Sequence, residues 1–128
     1  MSTPTVLLNW LSTDAAVWST LPVGDAAAEA LDHRDEAETE QAWLREDAAV
    51  QELLRSAAVP SATTETVEAI AEQAFIKAFE IAAHHDLAAQ VSDDLRLLAE
   101  ATVVGFCSPT LDRLWEAYSG GRFPDRLR

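Results

Sequence analysis

Apolar residues recur at steps of three and four along nearly the whole chain, the spacing of one face of an α-helix. From Thr5 to Ser19, Leu7, Leu8, Leu11, Ala15 and Trp18 fall on one such face. The run Leu21-Pro22-Val23-Gly24 breaks the pattern, and Asp25 is placed to cap a short helix reaching Leu31. A strongly acidic helix is expected from about Asp35 to Ala57, closed by Val59-Pro60-Ser61 because a residue before proline is pushed out of helical geometry. The longest pattern starts near Ser61 or Thr63 and runs to about His85. Thr63 or Thr64 is its expected cap, with Glu65 and Glu68 in the positive first turn. Its main apolar face reads Val67, Ile70, Ala71, Ala74, Ala78, Ile81 and Ala82, an Ala-rich stripe that permits close approach of a neighbour. A further helix spans about Leu87 to Val104, with an expected break and restart near Ser92 and Asp93; Leu95, Leu98, Ala99 and Thr102 share its inner side. The last helix is marked at both ends. Ser108 caps it, Pro109 takes the first helical position, Leu111, Leu114, Trp115 and Tyr118 form its inner stripe, and Gly120 stops it. The final PDRLR is expected to fray. No strand alternation and no hairpin signal is present. The expectation is an all-α fold: a single domain over residues 1–128, built as a bundle of five or six helices with the helix near 63–85 at its centre.

Composition narrows the class. The chain of 128 residues is 48% hydrophobic and 24% charged, and its formal net charge is -13. That apolar share opposes global disorder, and the length suffices for a core without metal or disulfide. The charge opposes a dedicated binder of nucleic acid or anionic membrane, both of which need clustered Lys and Arg. One cysteine, no window resembling a membrane span and no secretory signal point to a cytoplasmic protein. The charge is also uneven: residues 25–52 hold ten acids and two bases, whereas residues 105–128 hold three acids and four bases. Either the acids are solvated helix faces, or they form a shaped surface for a basic partner.

Few residues offer chemistry. Glu80 and His84 are four apart and would share a helix face, a spacing that can bind a divalent metal. The alternative places His84 and His85 in a last helical turn, where imidazolium meets the negative end of the dipole. Cys107 precedes a helix cap and is read as a small buried thiol rather than a nucleophile. There is no phosphate-binding glycine loop and no nucleophile elbow, so no cofactor and no catalytic residue is assigned. Two residues are misplaced for a simple amphipathic pattern. Glu46 projects among Ala42, Trp43, Val50 and Leu53, where a carboxylate must snorkel to water, pair with an Arg or serve a function. Ile76 projects among Glu65, Glu72 and Glu80, with Phe79 at the border; the helix is either surrounded or carries a contact patch there. Four tryptophans are many for this length, and each buried indole N–H wants an acceptor.

The tail L-W-E-A-Y-S-G-G-R-F-P, Leu114 to Pro124, resembles a C-terminal pattern in small bacterial cytoplasmic proteins, some of them grouped with immunity-type proteins of toxin systems. Asp125 stands where that pattern often continues with Cys. The resemblance carries no catalytic residue over; it implies an inhibitor that binds a partner. Together with the charge it leads to a non-enzymatic acidic protein engaging a basic protein. The expected contact residues are Asp35, Glu36, Glu38 and Glu40, with Glu65, Glu68, Glu72, Ile76 and Phe79 on the long helix. Two alternatives stay open: a small metal-dependent helical enzyme using Glu80, His84, His85 and Glu46, and a self-associating homodimer through Ile76 and Phe79.

Overall fold

The computed structural model describes residues 4–12 and 16–125, with the side chains of residues 12 and 16 left aside. Among the described residues there are seven α-helices and no strand: α1 (Pro4–Ser12), α2 (Ala16–Thr20), α3 (Asp25–Arg34), α4 (Ala37–Ser56), α5 (Ser61–Ala82), α6 (His85–Val104) and α7 (Pro109–Ser119). The all-α expectation holds. The count rises to seven because the first expected helix is two, α1 and α2. Ala15 of its expected face lies outside the described residues, while Leu7 and Leu11 are fully buried and Trp18 nearly so.

The centre of the packing is the α5–α6 pair, and α1 lies next against α5. Ala71, Ala74, Ala78 and Ala82 give α5 a flank of small side chains, against which α6 brings Leu87, Ala88, Val91, Leu95 and Leu98. Small residues on one side let the axes approach, and larger ones on the other fill the space. Val67 and Ile70 complete the buried face of α5, but Ile81 does not join it and is exposed. The expected break in α6 near Ser92 is absent. The Ser92 hydroxyl donates instead to the Ala71 carbonyl at 2.7 Å, tying α6 to α5 without interrupting its own ladder. The long helix is not surrounded either: Ile76 and Phe79 stay on an outward face.

Helix ends follow the sequence in part. Ser108 accepts from the Leu111 N–H, Pro109 opens α7 and Gly120 ends it. A Cβ on Gly120 would sit 2.7 Å from the Glu116 carbonyl oxygen, so the stop requires glycine. At α3 the residue before the helix is Gly24, with φ of 57°, and Asp25 is the first helical residue rather than the cap. α5 begins at Ser61 behind Pro60, so neither Thr63 nor Thr64 caps it. α5 stops at Ala82 because Ala83 turns left-handed, with φ of 50°. His84 then starts α6, its Nδ1 accepting from the Leu87 N–H at 3.2 Å. The two histidines therefore sit at the N-terminus of a helix and not at the end of one.

One polar cluster joins the elements that α5 does not reach. Asp94 of α6 is fully buried, and its carboxylate accepts five hydrogen bonds. The Arg34 guanidinium at the end of α3 donates twice, each at 2.7 Å. Trp43 of α4 donates from Nε1 at 2.9 Å, Gln90 from one turn earlier on α6 at 3.0 Å, and the Tyr118 hydroxyl of α7 at 2.6 Å. Arg34 also donates to the Pro124 carbonyl at 3.0 Å and lies 5.8 Å from the Phe123 ring centroid. Pro124 is buried and Asp125 reaches His33 at 3.3 Å, so these two residues are docked, while the rest of the segment expected to fray, 126–128, lies outside the described residues. Burial works against the Arg34 charge, but Asp94 outweighs it and holds the guanidinium above its ordinary pKa. Burial, then Asp94, pushes the Tyr118 hydroxyl well up, so it stays a donor.

At the other end, Trp10 packs against Trp18 and edge-on to Trp115, with centroids 6.1 and 5.0 Å apart. This joins α1, α2 and α7 through aromatic contact. Trp43 finds the acceptor its burial requires, whereas Trp18 Nε1 has none among the described residues.

Removing the Tyr118 hydroxyl leaves the Asp94 carboxylate one donor short in a dry site. Tyr118→Phe is expected to lower unfolding free energy by about 2 kcal/mol, the worth of a hydrogen bond to a charged group. Urea denaturation measures it, and a change near zero would show that the hydroxyl is dispensable.

Candidate partner-binding face

The acids divide between two places. The first is a cleft where α3, the start of α4 and the first half of α6 meet. Asp32 and Asp35 line it from α3 and the turn after it, Glu40 from α4, and Asp86 and Asp93 from α6. Trp43 and Leu44 supply apolar surface, with Leu44 exposed, and Gln90 and His84 lie between. Arg34 reaches the cleft too, but its guanidinium is engaged by Asp94 and the Pro124 carbonyl. The cleft's two adjoining pockets, which share Asp35 and Gln90, together present five carboxylates and, among the described residues, no uncommitted Lys or Arg.

The helices explain this placement. Thr39, Ala42, Glu46 and Val50 are the buried stripe of α4, so Glu40, Trp43, Leu44 and Asp47 are turned toward the cleft and the α6 side. On α6, Leu87, Val91, Asp94, Leu95 and Leu98 face inward, which brings Asp93, Arg96 and Glu100 outward. Gln51 bridges Asp47 at 3.3 Å and Glu100 at 3.2 Å. Desolvation raises the Asp93 carboxyl above its ordinary pKa, and the charges of Asp94 and Asp47 raise it further. Glu100 is raised in the same way, by burial first and then by Asp47 and Glu68. Burial is the larger cause for both, and the neighbouring acids add to it.

The second place is the outer face of α5. Glu68 pairs with Arg96 of α6 through two hydrogen bonds, 2.7 and 3.2 Å, and this hydrogen bond, with the charge of Arg96, lowers the Glu68 carboxyl. Glu68, Glu72, Phe75, Ile76 and Arg96 line a shallow groove between α5 and α6. Ile76 is 46% exposed and Phe79 44%. Glu65 continues the same face toward the start of the helix.

The structure therefore splits the residues read from sequence. Asp35 and Glu40 join the cleft; Glu36 and Glu38 stand beside it at the start of α4; Glu65, Glu68, Glu72, Ile76 and Phe79 share the α5 face. Glu80 is on α5, but His84 lies past the left-handed turn and is used as a helix cap, so the two do not share a helix face. Among the described residues no group of three His, Cys, Asp or Glu side chains is placed to hold a metal. Glu46 is buried rather than snorkelling to water, with Arg45 at 3.7 Å as its ion pair. Cys107 is exposed, contrary to the reading of a buried thiol, because Phe106 takes the inward position of that loop. No helix among the described residues is long and apolar enough to cross a membrane. The cluster around Asp94, which sets the floor of the cleft, was not legible from spacing: Arg34 and Asp94 are far apart in sequence. The signal that was present is the tail motif, whose Tyr118, Phe123 and Pro124 all close on Arg34 and Asp94.

With the all-α fold, the acidic cleft and the latched tail described, comparison with known families gives the class: it is an immunity-type protein. The profile of the Immunity protein PIM1 family matches residues 7–125, nearly the whole chain, and the chain belongs to that family. No curated protein matches it significantly.

The raised carboxyls give a pH signature. In the folded protein Asp93 keeps its proton to higher pH than in the unfolded chain, so its cost to stability is absent below the ordinary carboxylate pKa and grows as pH rises through the folded value. Asp93→Asn is expected to raise Tm at neutral pH and leave it unchanged in acid below the carboxylate range. A Tm that falls at neutral pH would show that the Asp93 charge stabilises the fold.

Proposed function

We propose that this immunity protein neutralises a toxin by binding it, with no reaction of its own, and that the cleft between α3, α4 and α6 receives a basic segment of that toxin. Residues 1–128 act as one binding domain. The observation that carries the reading is the set of five carboxylates around a cleft whose own guanidinium is engaged elsewhere. Such a surface is electrostatically incomplete. A Lys or Arg entering it relieves the repulsion around Asp93 and gains charge-assisted hydrogen bonds, while Trp43 and Leu44 offer an apolar anchor beside the charge. Glu36 and Glu38, at the start of α4, stand beside the mouth of the cleft. Long-range attraction speeds encounter and the desolvated contacts then hold the complex.

The test pairs a cellular and a physical measurement. The double variant Asp35→Lys/Glu40→Lys changes two exposed carboxylates and leaves the Asp94 cluster intact. It is expected to fold normally by circular dichroism and to lose protection of cells expressing the toxin. With purified toxin, the wild-type association rate should fall about tenfold or more between low and high salt. Full protection by the double variant, or an association rate indifferent to salt, would refute the cleft as the site.

A further inference from the structure

The outer face of α5 remains when the cleft has been accounted for, and it shares none of the cleft's lining residues. Its two ends differ in character. Glu65, Glu68 and Glu72 follow one another at steps of three and four over the first half, and Phe75, Ile76 and Phe79 continue the line over the second. Phe75 and Phe79 stack with centroids 6.1 Å apart, and His85 meets Phe75 edge-on at 5.4 Å, so the apolar end is a fixed platform rather than loose side chains. At the acidic end Glu68 is held by Arg96, while Glu72 makes no salt bridge among the described residues. From Glu65 to Phe79 the line covers about 21 Å at the α-helical rise.

A second copy of this chain fits that face poorly. A two-fold axis along α5 would set acid against acid. An axis across it would run the helices antiparallel and bury Glu72 against the aromatic platform of the other copy. Both arrangements desolvate carboxylates without a counter-charge. A helix with Lys or Arg at one end of its contact face and Leu, Ile or Phe at the other meets neither objection.

We propose that the α5–α6 groove is a second docking surface, for a basic amphipathic helix about four turns long, with its cations over Glu65 and Glu72, to either side of the Glu68–Arg96 pair, and its apolar end over Phe75, Ile76 and Phe79. This surface is independent of the cleft and does not rest on it.

The experiment uses the full chain and two synthetic helical peptides of about 16 residues. One carries Lys at one end and Leu at the other along a single face; its mate carries Glu in place of Lys. Fluorescence anisotropy should show binding of the Lys peptide, weakened by salt, and none of the Glu peptide. Ile76→Asp and Glu72→Lys should each weaken binding about tenfold, while Glu116→Lys, which changes net charge equally on α7, should not. Absence of Lys-peptide binding, equal binding of both peptides, or indifference to both α5 variants would overturn the proposal. So would a wild-type dimer in sedimentation that Ile76→Asp dissolves, because the face would then belong to a second copy. Loss of toxin protection in the cleft variant is read in a different assay, so either claim can fail alone.

Discussion

The buried ion pair between Arg34 and Asp94 is the constraint on which this fold depends. Two charges leave water here, a cost of several kcal/mol each unless geometry and further hydrogen bonds offset it. The offset is visible: the guanidinium meets the carboxylate with two parallel bonds, and Trp43, Gln90 and Tyr118 satisfy the carboxylate's remaining capacity. Each donor except Gln90 comes from a different helix. The apolar core is centred on α5 and α6, so α3, the start of α4 and the tail have comparatively little apolar burial of their own. Directional bonds to one carboxylate fix their positions where nondirectional packing would leave them free to slide.

The cluster also determines the charge of the surface above it. Because Arg34 is bonded to Asp94, its charge offsets that of Asp93 only in part, and burial with the charges of Asp94 and Asp47 still leaves the Asp93 carboxyl raised. Stability inside the protein and negative charge outside it have one origin. The tail takes part in both, since Phe123 and Pro124 cover the guanidinium and Asp125 adds a carboxylate beside His33. Within the 7–125 span that matches the family, the Leu114 to Pro124 segment closes the cluster on which the cleft is built.

Much of the fold was legible because local rules decide it. Ser108-Pro109 and Gly120 bound α7, Val59-Pro60 separates α4 from α5, and the Ala stripe of α5 marks its contact with α6. What escaped depends on partners distant in sequence. Ser92 and Asp93 resemble a helix restart, yet Ser92 bonds to α5 and the helix runs through. His84 reads as the end of one helix because nothing in the sequence announces that Ala83 turns left-handed. Asp94 follows Ser92 and Asp93 and reads as one more solvated carboxylate; only the three-dimensional approach of Arg34 shows why it is the most buried acid among the described residues. The acidic residues were identified as a set, but their division between a cleft and a helix face depends on the packing of α4 and α5 against α6.

The central claim is that Arg34 and Asp94 act as one unit, and a double-mutant cycle tests it most directly. Arg34→Met and Asp94→Leu should each be strongly destabilising, by about 3 to 5 kcal/mol, because each strands a buried charge. The double variant removes both charges and should be markedly more stable than the sum of the two losses predicts, with a coupling of several kcal/mol in chemical denaturation. Additive losses would show that the two side chains contribute separately, and would contradict the account.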